Sequence, residues 1–226
     1  MADEDLELRI LGADPEFEID GARPVTIRTT RGPIRLILHA AANPGGVALC
    51  VSGALGGLDG PSKLYPQLGM DLPARGVSIA RLDYRAPNDF NECLIDTMAG
   101  LAFARALGHQ CAALIGHSFG GAVAINAGTL DPMVKTVISI SSQLAGAHVV
   151  ADLAPRSLLL MHGTADTILS CETSKMLYER AREPKTIRLF EGADHRLGQC
   201  ADEMTKTAES WLIEKLTEPQ PNETGR

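Results

Sequence analysis

Gly116-His117-Ser118-Phe119-Gly120-Gly121 follows directly on the apolar run Cys111-Ala112-Ala113-Leu114-Ile115 and leads into the small-residue stretch Gly121-Ala122-Val123-Ala124-Ile125. A short hydrophobic strand that delivers a serine between two glycines, and then becomes a helix, is the sequence form of a nucleophile elbow. Where the backbone turns sharply at the serine, the positions two before and two after it are crowded. Gly116 and Gly120 stand at those positions, where a Cβ would clash. Ser118 is therefore the first candidate for chemistry, and the alternative reading is a glycine turn with an idle serine.

Working outward, apolar β-branched runs recur at Gly46 to Val51, Val77 to Leu82, Ala112 to Ile115, Thr136 to Ile140, Ser157 to Met161 and Thr186 to Phe190, with helical segments between them. Nearly continuous apolar strands alternating with helices predict a parallel sheet buried on both faces, a doubly wound α/β arrangement. Val25 to Thr30 and Ile34 to His39 flank Arg31-Gly32-Pro33 and predict an antiparallel hairpin at the sheet edge, giving a mixed sheet of about eight strands. The clearest helix is expected from Glu92 to Leu107, capped by Asn91 and stopped at Gly108. A last helix from about Ala201 to Leu216 is expected to bury Met204, Ala208, Trp211 and Leu212.

The 226 residues suit one domain, with residues 1 to 24 as an N-terminal extension and 217 to 226 as a frayed tail. A net charge of −7 supplies no basic patch for nucleic acid. Met1-Ala2-Asp3-Glu4-Asp5 is acidic where a signal peptide is basic, and no stretch approaches a membrane span, so a soluble, cytoplasmic protein is expected. Five cysteines, at 50, 93, 111, 171 and 200, form no CxxC pair, which points to neither a disulfide framework nor zinc. Cys50 and Cys111 read as buried small hydrophobes, and Cys200 lies near enough to His195 in sequence to approach the same site. Metal and cofactor are expected to be absent. The composition does not indicate an oligomeric state.

A serine hydroxyl needs a base, and a histidine base needs an acid to fix its tautomer. Asp166 lies in the loop after the strand ending Met161-His162-Gly163, and His195 in Glu191-Gly192-Ala193-Asp194-His195 after the next strand. The order Ser118, Asp166, His195, each beyond a successive strand, makes a catalytic triad. His117 reads as a packing or hydrogen-bonding residue that points away from the serine, His162 as support for the acid loop, and Asp194 as a poor rival to Asp166. His39 and His109 are expected at the surface, and His148 at a pocket rim. For the oxyanion, backbone N–H groups are expected from Phe119 and, in Ser52-Gly53-Ala54-Leu55-Gly56-Gly57, from Ala54 with Leu55 as second choice. Lys63 is not in a Gly-Lys-Ser/Thr setting, so this glycine loop does not read as a phosphate cradle.

These segments, with Leu82-Asp83-Tyr84-Arg85, resemble the α/β-hydrolase superfamily over roughly residues 25 to 216. The compact plan looks like the small dienelactone-hydrolase-like and esterase or thioesterase members, because the interval from Ser118 to Asp166 is too short for a large helical cap. Dienelactone hydrolases proper use a cysteine nucleophile where this chain has Ser118, and many relatives carry a histidine where Ser52 stands. The resemblance implies an α/β-hydrolase fold and a serine hydrolase acting on a small ester or thioester through an acyl-enzyme. Two other readings are a weakly active ligand-binding or scaffold protein, and a peptidase or acyltransferase using the same triad. The pocket is expected to be shallow, bordered by the loops after Leu55, after Tyr84 and around Ser141 to His148. Aromatic content of 4% disfavours an aromatic-walled pocket.

Overall fold

The computed structural model describes residues 7–42 and 45–217. Its strands are β1 (Ile10–Pro15), β2 (Arg23–Thr29), β3 (Ile34–His39), β4 (Gly46–Val51), β5 (Val77–Asp83), β6 (Ala112–His117), β7 (Val134–Ile140), β8 (Ser157–Gly163) and β9 (Lys185–Phe190). The helices are α1 (Leu64–Asp71), α2 (Phe90–Ala106), α3 (Phe119–Leu130), α4 (Glu172–Arg180) and α5 (Ala201–Thr217). The nine strands form one sheet in the order β1-β2-β3-β5-β4-β6-β7-β8-β9. The pairs from β1 to β5 are antiparallel and those from β5 through β9 parallel.

The period-two pleat divides each central strand between two apolar layers. Val47, Leu49 and Val51 of β4 pack with Leu82, Leu114, Val137 and the inner faces of α2 and α3. Ala48 and Cys50 face the other way, with Ile79, Ile115, Ile138 and the inner faces of α1 and α5. β4, β6 and β8 are buried along their whole length, so their sequences read as continuous apolar runs. The carboxyl ends of β4 and β6 lie side by side at the switch where the chain order diverges to opposite sides, the position at which open α/β sheets form clefts.

Several sequence expectations need correction. Among the described residues the sheet has nine strands rather than about eight, because Ile10–Pro15 pairs with β2 inside the segment expected to be an extension. Its burial is low throughout, so no apolar alternation announced it. β1 is consequently the edge strand, and the β2–β3 hairpin lies one strand further in. Helix α2 starts at Phe90, and its cap is Asp89, which accepts the Glu92 N–H at 3.1 Å; Asn91 is inside the first turn. Trp211 is half-buried, its indole N–H donating to Thr136 Oγ1 at 2.7 Å. His39 and His109 are buried, with burial holding both imidazoles below their usual pKa. All five cysteines are free; Cys50 is buried but Cys111 is only half-buried. The tail beyond Thr217, like residues 1–5, lies outside the described residues.

Candidate active site

Ser118 follows directly on β6 and precedes the first residue of α3. Its backbone is at φ 57, ψ −119, a conformation that costs a non-glycine residue about 1–3 kcal/mol. The strain is held by the neighbours. Ser118 N–H donates to Ile140 O at 2.8 Å, tying the elbow to the end of β7. A Cβ on Gly116 would sit 2.0 Å from Gly120 O, and one on Gly120 would sit 2.1 Å from Ser52 O. Those two glycines let the elbow close on itself and let the loop after β4 press against it.

The candidate acid and base, Asp166 and His195, come from the loops after β8 and β9. Two backbone bonds, Thr164 N–H to Phe190 O at 2.9 Å and Ala165 N–H to Ala193 O at 3.0 Å, hold these loops together. Gly192 N–H adds a bond to Thr164 Oγ1 at 2.9 Å. In the frame so formed, Asp166 Oδ2 lies 2.7 Å from His195 Nδ1 and 3.0 Å from His162 Nε2, while Asp166 Oδ1 accepts the N–H groups of Ile168 at 2.8 Å and Leu169 at 2.9 Å. Burial alone would raise the pKa of this carboxyl. The N–H donors of Leu169, His195 and Ile168 outweigh burial and hold it below the usual carboxylate range. Asp166 is thus an anion able to fix the His195 tautomer with Nε2 free.

Asp194, the weaker candidate for the acid, is bonded within the His195 loop. Its Oδ1 accepts Arg196 N–H at 2.9 Å and Gly198 N–H at 3.2 Å, and these bonds, Gly198 first, lower its pKa. His117 stacks at a tilt on His195, ring centroids 4.8 Å apart, with Nε2 3.1 Å from the His195 carbonyl. Nε2 must therefore carry the proton and donate. Burial is the main cause that brings the His117 pKa down to about 4, so the ring is neutral near neutral pH. The packing and hydrogen-bonding part of the His117 expectation agrees with this placement. Its expected direction does not, because the ring lines the cleft beside Ser118.

That cleft, of about 270 Å³, brings Ser118 and His195 together with the Ser52–Gly56 loop. Among the described residues Ser118 Oγ makes no hydrogen bond, so the serine shares the cleft with the base without being joined to it. Ala54 and Leu55 both line the cleft, and a Cβ on the adjacent Gly53 would sit 3.6 Å from the Ser118 Cβ. Neither the Ala54 nor the Phe119 N–H has a backbone acceptor among the described residues, and the Phe119 amide opens α3, whose dipole favours negative charge. Asp83 Oδ1 accepts the Gly57 N–H at 3.0 Å, bracing the glycine loop from the end of β5.

The borders of the cleft differ from expectation. Tyr84 lines a separate cleft with Arg31 and Arg35, and His148 is exposed and not part of the cleft lining. The remaining walls are Gly60, Ile168 and Arg196. Ile168 and Leu55 are 70% and 93% exposed, so two apolar side chains stand open at the mouth. Cys200 is absent from the lining, its thiol turned to Leu197 O at 3.5 Å. Arg196 and Ile168 were missed because each follows a chemistry-bearing residue in a loop, where no periodicity marks which way a side chain points.

No protein-family model matches the chain. By sequence it is similar to uncharacterized protein YfhR of Escherichia coli strain K12, 26% identical over 233 residues that span 83% of this chain and 76% of that protein. By structure it is similar to Est1E from Butyrivibrio proteoclasticus, with TM-score 0.72, 15% identity, and coverage of 92% of this chain and 100% of the other. It is also similar to a dienelactone hydrolase from Anabaena variabilis, with TM-score 0.74, 15% identity, and coverage of 89% and 99%. A third similar structure is XC6422 from Xanthomonas campestris, described as a serine hydrolase without lid, with TM-score 0.70, 16% identity, and coverage of 92% and 100%. Together with the strand order and the absence of a large cap among the described residues, these likenesses establish that the chain has the α/β-hydrolase fold.

Proposed function

We propose that the chain is a serine hydrolase that cleaves a small carboxylic ester or thioester through an acyl-enzyme intermediate. The observation that carries this reading is the 2.7 Å bond from His195 Nδ1–H to a buried Asp166 oxygen, with the His195 ring opening into the cleft that holds the strained Ser118. Ser118 Oγ attacks the acyl carbonyl and His195 Nε2 takes its proton. The oxyanion receives the N–H groups of Phe119 and Ala54, with Leu55 the alternative to Ala54. His195 then returns the proton to the leaving group, and water repeats the sequence to release the acid. Asp166 stays ionised throughout and stabilises the imidazolium. None of these steps requires a metal or cofactor.

The cleft volume and the apolar pair Leu55 and Ile168 favour short acyl groups with some apolar surface. Turnover of an acyl series of p-nitrophenyl esters and thioesters, compared with Ser118→Ala, is the test. Wild-type hydrolysis that Ser118→Ala abolishes supports the reading, and equal rates in the two proteins overturn it. The lack of a Ser118 hydrogen bond to His195 favours a second reading, a protein that binds its ligand without turnover. Catalytic hydrogen bonds are often long in unliganded enzymes and tighten in the substrate complex, which keeps hydrolysis ahead. Labelling with a fluorophosphonate separates the two, since only an activated serine is modified.

A further inference from the structure

Behind the candidate triad, a second histidine reaches the same acid. His162 is the penultimate residue of β8 and is fully buried. Its Nε2 lies 3.0 Å from Asp166 Oδ2 and 3.0 Å from Leu169 O, and its Nδ1 lies 2.7 Å from Ser174 Oγ on α4. Both neighbours of Nε2 are acceptors, so the proton must be on Nε2 and is shared between them. Burial, the first cause, holds the His162 pKa below its usual value, so Nδ1 is a bare acceptor and the Ser174 hydroxyl donates to it. The hydrogen bonds therefore fix both a tautomer and a hydroxyl direction.

From this geometry we infer that His162 is a positioning residue that sets the basicity of His195 by dividing the charge of Asp166 Oδ2 between two imidazole N–H donors. The inference rests on the hydrolase reading above and deepens it. Asp166 accepts two amides on Oδ1 and two imidazoles on Oδ2, so rotating the carboxylate would break four bonds. More importantly, each N–H aimed at Oδ2 lowers the negative potential felt by the other. With His162 in place, Asp166 attracts the His195 proton less strongly than a carboxylate serving His195 alone would. The other groups facing His195 are His117 from the end of β6, whose ring is neutral above about pH 4, and Arg196 beside it on its own loop, permanently charged. The residues of the β4 loop that line the cleft, Ser52 to Gly56, carry no charge, and Asp194 is engaged by its own loop amides. Among the described residues, His162 is the only side chain that hydrogen-bonds the acid from outside the cleft lining.

The test is the rate of fluorophosphonate labelling of Ser118 against pH, for wild type, His162→Leu and His162→Gln. Labelling reads the ionisation of the free enzyme's base without requiring the natural substrate. Leucine removes the donor, so the acid limb should move up by roughly 0.5–1 pH unit. Glutamine places an amide N–H where Nε2 was, so its acid limb should stay at the wild-type position. A limb that does not move in His162→Leu, or that moves equally in both variants, overturns the inference. If His162→Leu does not fold, as judged by circular dichroism, nitrogen-15 NMR of the wild-type imidazoles decides. The inference expects His162 to stay neutral with its proton on Nε2 at and above neutral pH, since burial depresses its pKa. A proton on Nδ1, or a His162 that titrates at an ordinary histidine pKa, overturns it. A wild-type serine that is never labelled would defeat the hydrolase reading instead, and the NMR result would still test the His162 geometry.

Discussion

The two halves of the site are built by different means. On the side of β8 and β9, the acid and base loops are joined by backbone bonds, and Asp166 accepts four hydrogen bonds from Ile168, Leu169, His162 and His195. On the side of β4 and β6, Ser118 and the Ser52–Gly57 loop are placed by close approach of backbone, with Gly116 and Gly120 leaving no room for a Cβ. The glycine loop has few hydrogen bonds of its own, chiefly Gly56 N–H to Gly53 O at 3.0 Å and Gly57 N–H to Asp83. The difference follows from the tasks proposed for each half. A base must be held in one tautomer, which takes directional bonds; an oxyanion site must keep donors unspent, which leaves packing as the means of placing them.

Substitutions on the two halves should impair the protein in different ways. Ser118→Ala removes the reacting atom and should lower kcat on the order of 10⁶-fold with the fold intact, measured by steady-state ester hydrolysis. Asp166→Asn substitutes an amide that donates where only acceptors are wanted, and kcat should fall about 10⁴-fold through loss of the correct tautomer. A loss under tenfold would show that the hydrogen-bonded half does not serve the reaction. Gly120→Ala drives a methyl into Ser52 O, so the loop must move away; kcat should drop on the order of 10²- to 10³-fold, as for a lost oxyanion donor, with about 1–3 kcal/mol lost in denaturant unfolding.

A smaller effect concerns pH. The folded-state pKa of His117 is depressed from 6.5 to about 4, so between these values the unfolded chain binds more protons than the native one. The stability contributed by its neutral ring is fully present above pH 6.5 and is lost as pH falls toward 4. His162, His39 and His109 are depressed in the same direction and add to the slope. In His117→Gln, whose amide can still donate to the His195 carbonyl, urea midpoints should fall less steeply over that window. The smallest effect should come from Ile168→Ser at the open mouth, with KM for apolar acyl groups raised roughly three- to tenfold and kcat little changed.

Much of this arrangement was legible in the sequence, for physical reasons that can be stated strand by strand. β4 was bounded without error because both of its faces are buried and its residues are uninterrupted by polar positions. Ser118 and Asp166 could be picked out because each follows the end of a fully buried strand, and His195 because it follows β9, whose apolar positions recur among polar ones; the structure places Asp166 and His195 in contact and Ser118 in the cleft that His195 lines. β1 was not legible, since an edge strand with little buried surface leaves no apolar alternation. His39 was misplaced for a related reason. With β1 and β2 outside it, β3 is an inner strand, and the imidazole is packed over Gly69 of α1. The convergence of His162 on Asp166 depends on the turn between them, which folds Asp166 back over the strand end; sequence suggested support without showing that one oxygen serves two rings.

Trp211, the chain's one tryptophan, packs its indole N–H on Thr136 near the start of β7, at the opposite end of the sheet's strands from Ser118. Its fluorescence is therefore a built-in gauge of whether α5 is docked, and it is insulated from whatever occupies the cleft. Emission that stays constant while Ser118 is acylated, and changes only when the sheet loses its outer helix, would let reaction and unfolding be followed in one cuvette without an added dye.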